Sequence, residues 1–311
     1  MRKKPELLAT ADSLTQIDEV IQAGADAVNI GENRFGMRMP GNFRMEDMQA
    51  GIARIHQGGA RAYISVNQIF SNDMLEDVKA YVANLHQWGA DALVFGDPAI
   101  LMILKELSIE MDLHWNTEMT ATNYATAKYW QSKGASRVIL ARELNLEEIH
   151  EVKRMLPDMD VQVQIHGMTN MYHSKRNLLQ NYMAHQGKEA SLSEFGQERG
   201  LYLIEEERQE LHVPVFEDEG GTHMMSPDDI CLMEALDELF EVDLDSVKID
   251  GLLKTPAYHV ATVESYRAAI DAYYANPEAY VLQPEWIARI QALQDPNREL
   301  TFGFLFKEQV Y

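Results

Sequence analysis

Short apolar runs recur along this chain, and four of them follow a helical segment that closes on Gly-Ala or a near variant. Ala23-Gly24-Ala25-Asp26 precedes A-V-N-I-G, and Gly58-Gly59-Ala60 precedes R-A-Y-I-S-V-N. Trp88-Gly89-Ala90-Asp91 precedes A-L-V-F-G-D, and Lys133-Gly134-Ala135 precedes S-R-V-I-L-A-R. Glycine after a helix takes the left-handed cap conformation, and a short continuous apolar run reads as a strand buried on both faces. L-L-A-T, D-L-H-W-N-T, V-Q-V-Q-I-H and S-V-K-I-D-G bring the expected strands to eight. Most are separated by amphipathic stretches: Leu14 to Gln22, Glu46 to His56, Asp73 to Trp88, Asn123 to Ser132 and Leu146 to Met155. Strands alternating with helices in this way predict an α/β fold, a (β/α)8 TIM-like barrel. An open doubly wound sheet is the alternative, but no Gly-rich dinucleotide turn follows the first strand.

One interval breaks the rhythm and predicts a β-hairpin-containing insertion between strands 7 and 8, over 168–244. Its first part, Met168 to Gly200, is polar and irregular. Its second part, L-Y-L-I-E-E-E-R-Q-E-L-H-V-P-V-F-E-D-E, has two alternating runs around a charged turn, the pattern of a hairpin. Pro227-Asp228-Asp229 then offers a helix start, with Leu232, Met233, Leu236, Leu239 and Phe240 on its apolar face. The barrel with its insertion is expected over 1–275, and 276–311, which carries W-I-A-R-I-Q-A-L, as a helical extension packed on its outside.

The chain has 311 residues, 46% of them hydrophobic, enough to bury a full core. No apolar run reaches the roughly 20 residues of a membrane span, and no signal-peptide segment follows the basic start. The single Cys231 excludes an internal disulfide and fits a reducing compartment, so a cytoplasmic protein is expected. A net charge of −22, from 27 basic and 49 acidic residues, repels polyanions and argues against this chain alone gripping nucleic acid.

In a barrel of this kind chemistry gathers where the strands end. The residues expected at that mouth are Arg34, Asn67, Asn116, Glu118, Arg142, Glu143, His166, Lys248, Asp250 and Lys254. Buried apolar strands ending in such groups predict a small-molecule pocket, and its cations suit a small anion, since arginine holds a carboxylate through two parallel hydrogen bonds. Internal ion pairs, such as Arg142 with Glu143 or Lys248 with a mouth carboxylate, are the structural alternative. No catalytic residue can be singled out. The chain has no H-E-x-x-H zinc helix, no G-x-S-x-G elbow and no cysteine placed as a nucleophile. His166, His173, His185, His212 and His223 match no metal-site spacing, and no metal is expected.

Several stretches carry a resemblance. They are P-E-L-L-A-T (Pro5 to Thr10), A-G-A-D-A-V-N-I-G (Ala23 to Gly31), R-F-G-M-R (Arg34 to Arg38) and H-G-M (His166 to Met168). P-V-F-E-D-E-G-G-T (Pro214 to Thr222), the segment from Gly220 to Arg267 and the late G-F-L-F complete the set. Together they are similar to the U32 peptidase, or collagenase-like, family over nearly the whole chain. That resemblance implies one of two activities: prephenate-dependent tRNA hydroxylation, forming 5-hydroxyuridine at the wobble position, or proteolysis.

Many family members hold an iron–sulfur cluster on four cysteines, the usual demand of such a cluster. Here Asn170 and Asn177 stand where the first pair would be, and S-L-S-E-F-G-Q-E-R-G lacks the second. The resemblance therefore implies a chain with no cofactor of its own. Prephenate is its possible co-substrate, a cluster-bearing paralogue its partner, and tRNA a partner only through that relative. Leu252 replaces an arginine of the family's K-I-E-G-R, which fits a divergent, supporting subunit.

Overall fold

A computed structural model describes residues 3–116 and 122–308. Eight strands close into a barrel: β1 (Glu6–Thr10), β2 (Ala27–Gly31), β3 (Arg61–Val66), β4 (Ala92–Phe95), β5 (Asp112–Asn116), β6 (Arg137–Ile139), β7 (Asp160–Ser174) and, after the insertion, a strand at Ser246–Ile249. Each pairs in parallel with the next, and Ser246–Ile249 pairs with both β7 and β1 to complete the ring. The helices α1 (Leu14–Gln22), α2 (Met45–Gln57), α3 (Leu75–Gln87), α4 (Ala99–Leu107), α5 (Tyr124–Gln131) and α6 (Leu146–Met155) lie between them. The expected (β/α)8 barrel is the observed fold.

Local chemistry accounts for the helix boundaries. Ser13 accepts from the backbone of Gln16 at the start of α1, and Asn145 with Glu148 forms a reciprocal capping box on α6. Gly24, Gly59, Gly89 and Gly134 all have positive φ at the helix-to-strand turns, the conformation that the Gly-Ala phrase implies. The main core fills the shell between strands and helices, where Ile17, Val20, Ile52, Val82, Leu93 and Val247 are fully buried. Each such side chain contributes about 1.5–3 kcal/mol relative to exposure.

The insertion continues the barrel's own sheet. β7 runs past the barrel rim to Ser174, and α7 (Leu178–His185) follows. β8 (Tyr202–Ile204), β9 (His212–Asp218) and β10 (Gly221–Cys231) then build antiparallel neighbours in the order β7-β10-β9-β8. The helix start at Pro227-Asp228-Asp229 is overturned, because these residues lie in β10 where its register against β7 shifts between Met225 and Asp229. The bulge turns Asp229 toward partners distant in sequence, a constraint that a local capping rule does not contain. Helix follows only at α8 (Leu236–Phe240), before Ser246–Ile249, which is β11.

α9 (Pro256–Ala275) packs against the barrel, and α10 (Pro284–Gln291) lies on α9 with Ile290 buried. The chain then returns as β12 (Leu300–Thr301), which pairs with β10 beside Asp229.

Candidate functional site

The inward alternation of the strands fills the lumen in layers. At its base Arg137, 3% exposed, holds Glu6 at 2.6 Å and Asp160 at 3.1 Å. Tyr63 and Ser246 also donate to Glu6. A small apolar layer including Leu8, Ala27, Ala92 and Val94 separates this network from the mouth.

The mouth is a polar cavity. Asn29 donates to Tyr63 O and to Ser65 Oγ, each at 3.0 Å. Arg142 Nε donates to Gln164 Oε1 at 2.7 Å, and Gln164 donates onward to Met168 O at 3.0 Å. Lys248 Nζ donates to Asp250 Oδ2 at 2.8 Å, while Oδ1 accepts from the backbone of Leu252 at 3.0 Å. Burial pushes the Asp250 carboxyl up, but Lys248 and Arg142 outweigh it and hold the group below the ordinary carboxylate range. Asp250 is therefore an anion that already occupies part of the mouth's positive charge.

Of the expected residues, Asn67, Asn116, Arg142, Lys248 and Asp250 line this one cavity. Glu118 lies outside the described residues. The others are elsewhere. Arg34 projects outward to pair with Asp77 and sits over the Phe35 ring. Glu143 is exposed on the rim. Lys254 pairs with Asp229 and lines a separate, open cleft.

His166, expected to face the mouth, is fully buried beneath α9. Its Nε2 lies 2.7 Å from Tyr258 Oη and its Nδ1 3.4 Å from Tyr266 Oη. Gln164 opposes Lys248 but His166 opposes Ile249, so the strand slips by one residue and turns His166 out of the lumen. Burial pushes its pKa down to about 3, so it is neutral and structural.

The sequence reading missed Arg38. It lines the cavity, is 7% exposed and has a left-handed backbone, φ 55°. The R-F-G-M-R loop reaches the mouth because Gly36 lies against β3, where a Cβ would stand 2.8 Å from Ser65 O. The backbone of Met37 then donates to Asn67 Oδ1 at 2.8 Å. The strand-end rule selects Arg34, and neither the burial nor the left-handed backbone of Arg38 is legible in the sequence.

Met37, Met39, Met168, Met225 and Leu252 roof the cavity and leave about 40 Å³ of free space, room for a few waters. Met39 and Met168 also line a cleft of about 820 Å³ between the mouth and the inserted sheet. Methionine repacks readily, so these two side chains form a yielding partition between the inner cavity and the open cleft.

Nothing in this donor set suits an iron–sulfur cluster. Asn170 sits on β7 opposite Met225, Asn177 hydrogen-bonds Gln180, and Cys231 is buried against Tyr266. Among the described residues no three His, Cys, Asp or Glu side chains group as metal ligands. Nor does any histidine there hydrogen-bond a serine or cysteine. His173 meets Gly220 O, His223 meets Asp218 and His259 meets Thr10 O.

The family model of peptidase family U32 matches residues 12–310. The chain belongs to that family. It is similar to tRNA hydroxylation protein P2 of Bacillus subtilis, 46% identical over 99% of this chain and 100% of that one. It is also similar to tRNA hydroxylation protein P1 of the same organism, 30% identical over 99% of this chain but only 74% of the relative. A solved U32 peptidase structure shares the fold, with a TM-score of 0.52 and 12% identity over 80% of this chain and 93% of that one.

Proposed function

We propose that this chain is a subunit of tRNA hydroxylation, acting with prephenate to form 5-hydroxyuridine at the wobble position. The observation that carries the reading is the closed polar mouth, lined by Arg38, Arg142 and Lys248, in a chain without the cluster-binding thiolates. Its similarity along the full length of tRNA hydroxylation protein P2 supports the same assignment. The mouth's part is to bind and orient a small dicarboxylate away from bulk water, where ion pairs are stronger. The redox step belongs to a longer paralogue carrying the cluster; longer relatives exist, since tRNA hydroxylation protein P1 extends beyond its match to this chain. With a net charge of −22 this chain leaves the phosphate contacts to that partner. The working compartment is the cytoplasm, and no helix among the described residues is long and apolar enough to cross a membrane.

Deleting the gene is expected to remove 5-hydroxyuridine and its derivatives from tRNA, measured by mass spectrometry of digested nucleosides. The purified chain is expected to leave gelatin uncut. Unchanged tRNA together with peptide cleavage by the pure protein would transfer the assignment to a collagenase-like peptidase.

A separate expectation concerns the cofactor. Protein isolated without oxygen should be colourless, since neither Asn170 nor Asn177 supplies the thiolate that iron–sulfur chemistry requires. Stoichiometric iron with acid-labile sulfide in the isolated chain would overturn the supporting role.

A further inference from the structure

Two cations of the mouth approach from opposite sides of the barrel. In the closed ring of β1 to β7 and β11, the loop after β2 lies across the lumen from the end of β6. Arg38 arrives on the first, tied to β3 through the hydrogen bond from Met37 to Asn67. Arg142 arrives on the second, tied to β7 through Gln164. Both line the same cavity, and Lys248 on β11 stands between them, two strands round the ring from each. Lys248 pairs with the carboxylate of Asp250, which also feels the charge of Arg142, whereas Arg38 approaches from across the lumen from Arg142.

Arg38 holds that place at a cost. A non-glycine residue in the left-handed region is uncommon, and such strain persists at sites where the side chain is needed. Glycine would adopt φ 55° freely. The guanidinium is only 7% exposed and donates to Met37 Sδ at 3.9 Å among its contacts.

We infer that Arg38 is the specificity-determining residue of the mouth: it takes one of two anionic groups of the ligand while Arg142, across the lumen, takes the other. The mouth then selects dicarboxylates over monocarboxylates of the same size. The ligand enters from the wide cleft by displacing Met39 and Met168, because the closed cavity of about 40 Å³ cannot hold it. This rests on the reading that the mouth binds prephenate, and it adds how one acid is told from another.

The test is calorimetry with two ligands on three proteins. Prephenate has two carboxylates, whereas phenylpyruvate keeps the side-chain carboxylate and lacks the ring one. Arg38→Gly and Arg142→Ala are each expected to weaken prephenate by roughly tenfold or more, the worth of a charged hydrogen bond. Phenylpyruvate, with one carboxylate to offer, should be weakened by only one of the two variants. A merely structural role for Arg38 would lower both ligands alike. Arg38→Asn, also tolerant of this backbone, replaces the glycine variant if that one does not fold. Prephenate binding by Arg38→Gly equal to wild type overturns the inference, as does an equal loss of both ligands in both variants. If the unmodified chain binds no prephenate, the failure lies instead with the pocket assignment.

Discussion

Replacing Asp229 with alanine is expected to cost the fold about 3–5 kcal/mol, the usual effect of stranding buried charges. Asp229 is completely buried, and its carboxylate accepts from Lys254 Nζ at 2.5 Å, Arg298 Nη2 at 2.7 Å and Gln294 Nε2 at 2.8 Å. Lys254 and Arg298 are themselves only 6% and 9% exposed. Removing the carboxylate leaves two buried cations without their hydrogen-bonded counter-charge. The damage should also spread, because the cluster joins three parts of the chain: Asp229 on β10, Lys254 after β11, and Gln294 with Arg298 ahead of β12. Urea denaturation of the purified variant measures the loss. A change below 1 kcal/mol would mean that water screens the cluster as it does a surface pair.

The same cluster predicts an acid limb. Burial raises the Asp229 pKa, but Lys254, Arg298 and the hydrogen bond from Gln294 outweigh it and bring the group to about 2. Lys254 also moves down: burial lowers its pKa and Arg298 adds to the effect, while Asp229 opposes them. Two cations share one anion, so the anion gains more than either cation. The folded Asp229 pKa lies below the unfolded value of about 3.9. Its stabilisation is therefore present above pH ~4 and is lost as pH falls through ~2, an effect on the order of 2 kcal/mol. Asp229→Ala should flatten that limb.

Repetition made the barrel legible. Each Gly-Ala turn marks a helix end and a strand start, and all eight expected strands are present in the ring. The insertion's charged turn also announced the β8–β9 hairpin, since alternation around a turn is a local signal. What escaped depended on contacts distant in sequence. Pro227-Asp228-Asp229 has the composition of a helix start, yet β7 claims that backbone for its ladder and the buried cations claim the carboxylate. His166 obeys the strand alternation on paper, and one slipped residue turns it out of the lumen. Arg34 and Arg38 are four residues apart in one motif, and only the approach of Gly36 to Ser65 decides which of them enters the mouth.

That last distinction makes the mouth testable with an internal control. Arg142→Ala and Lys248→Ala are each expected to weaken prephenate binding by about 1.5–3 kcal/mol, because each removes a charged donor from the cavity. Arg34→Ala should leave binding unchanged, since that side chain is spent on Asp77 outside the mouth. The two mouth variants should also differ from each other in stability. Lys248→Ala takes the nearest counter-charge from a buried Asp250, whereas Arg142→Ala leaves the Lys248–Asp250 pair standing. The lysine variant should therefore be the less stable of the two, and its acid sensitivity should fall, because Asp250 would no longer be held so far below the ordinary carboxylate range. Calorimetry and thermal melts on the same preparations separate the effects. Weaker binding with a folded barrel identifies ligand contacts. Unfolding of both mouth variants, with Arg34→Ala intact, would assign these cations to structure alone.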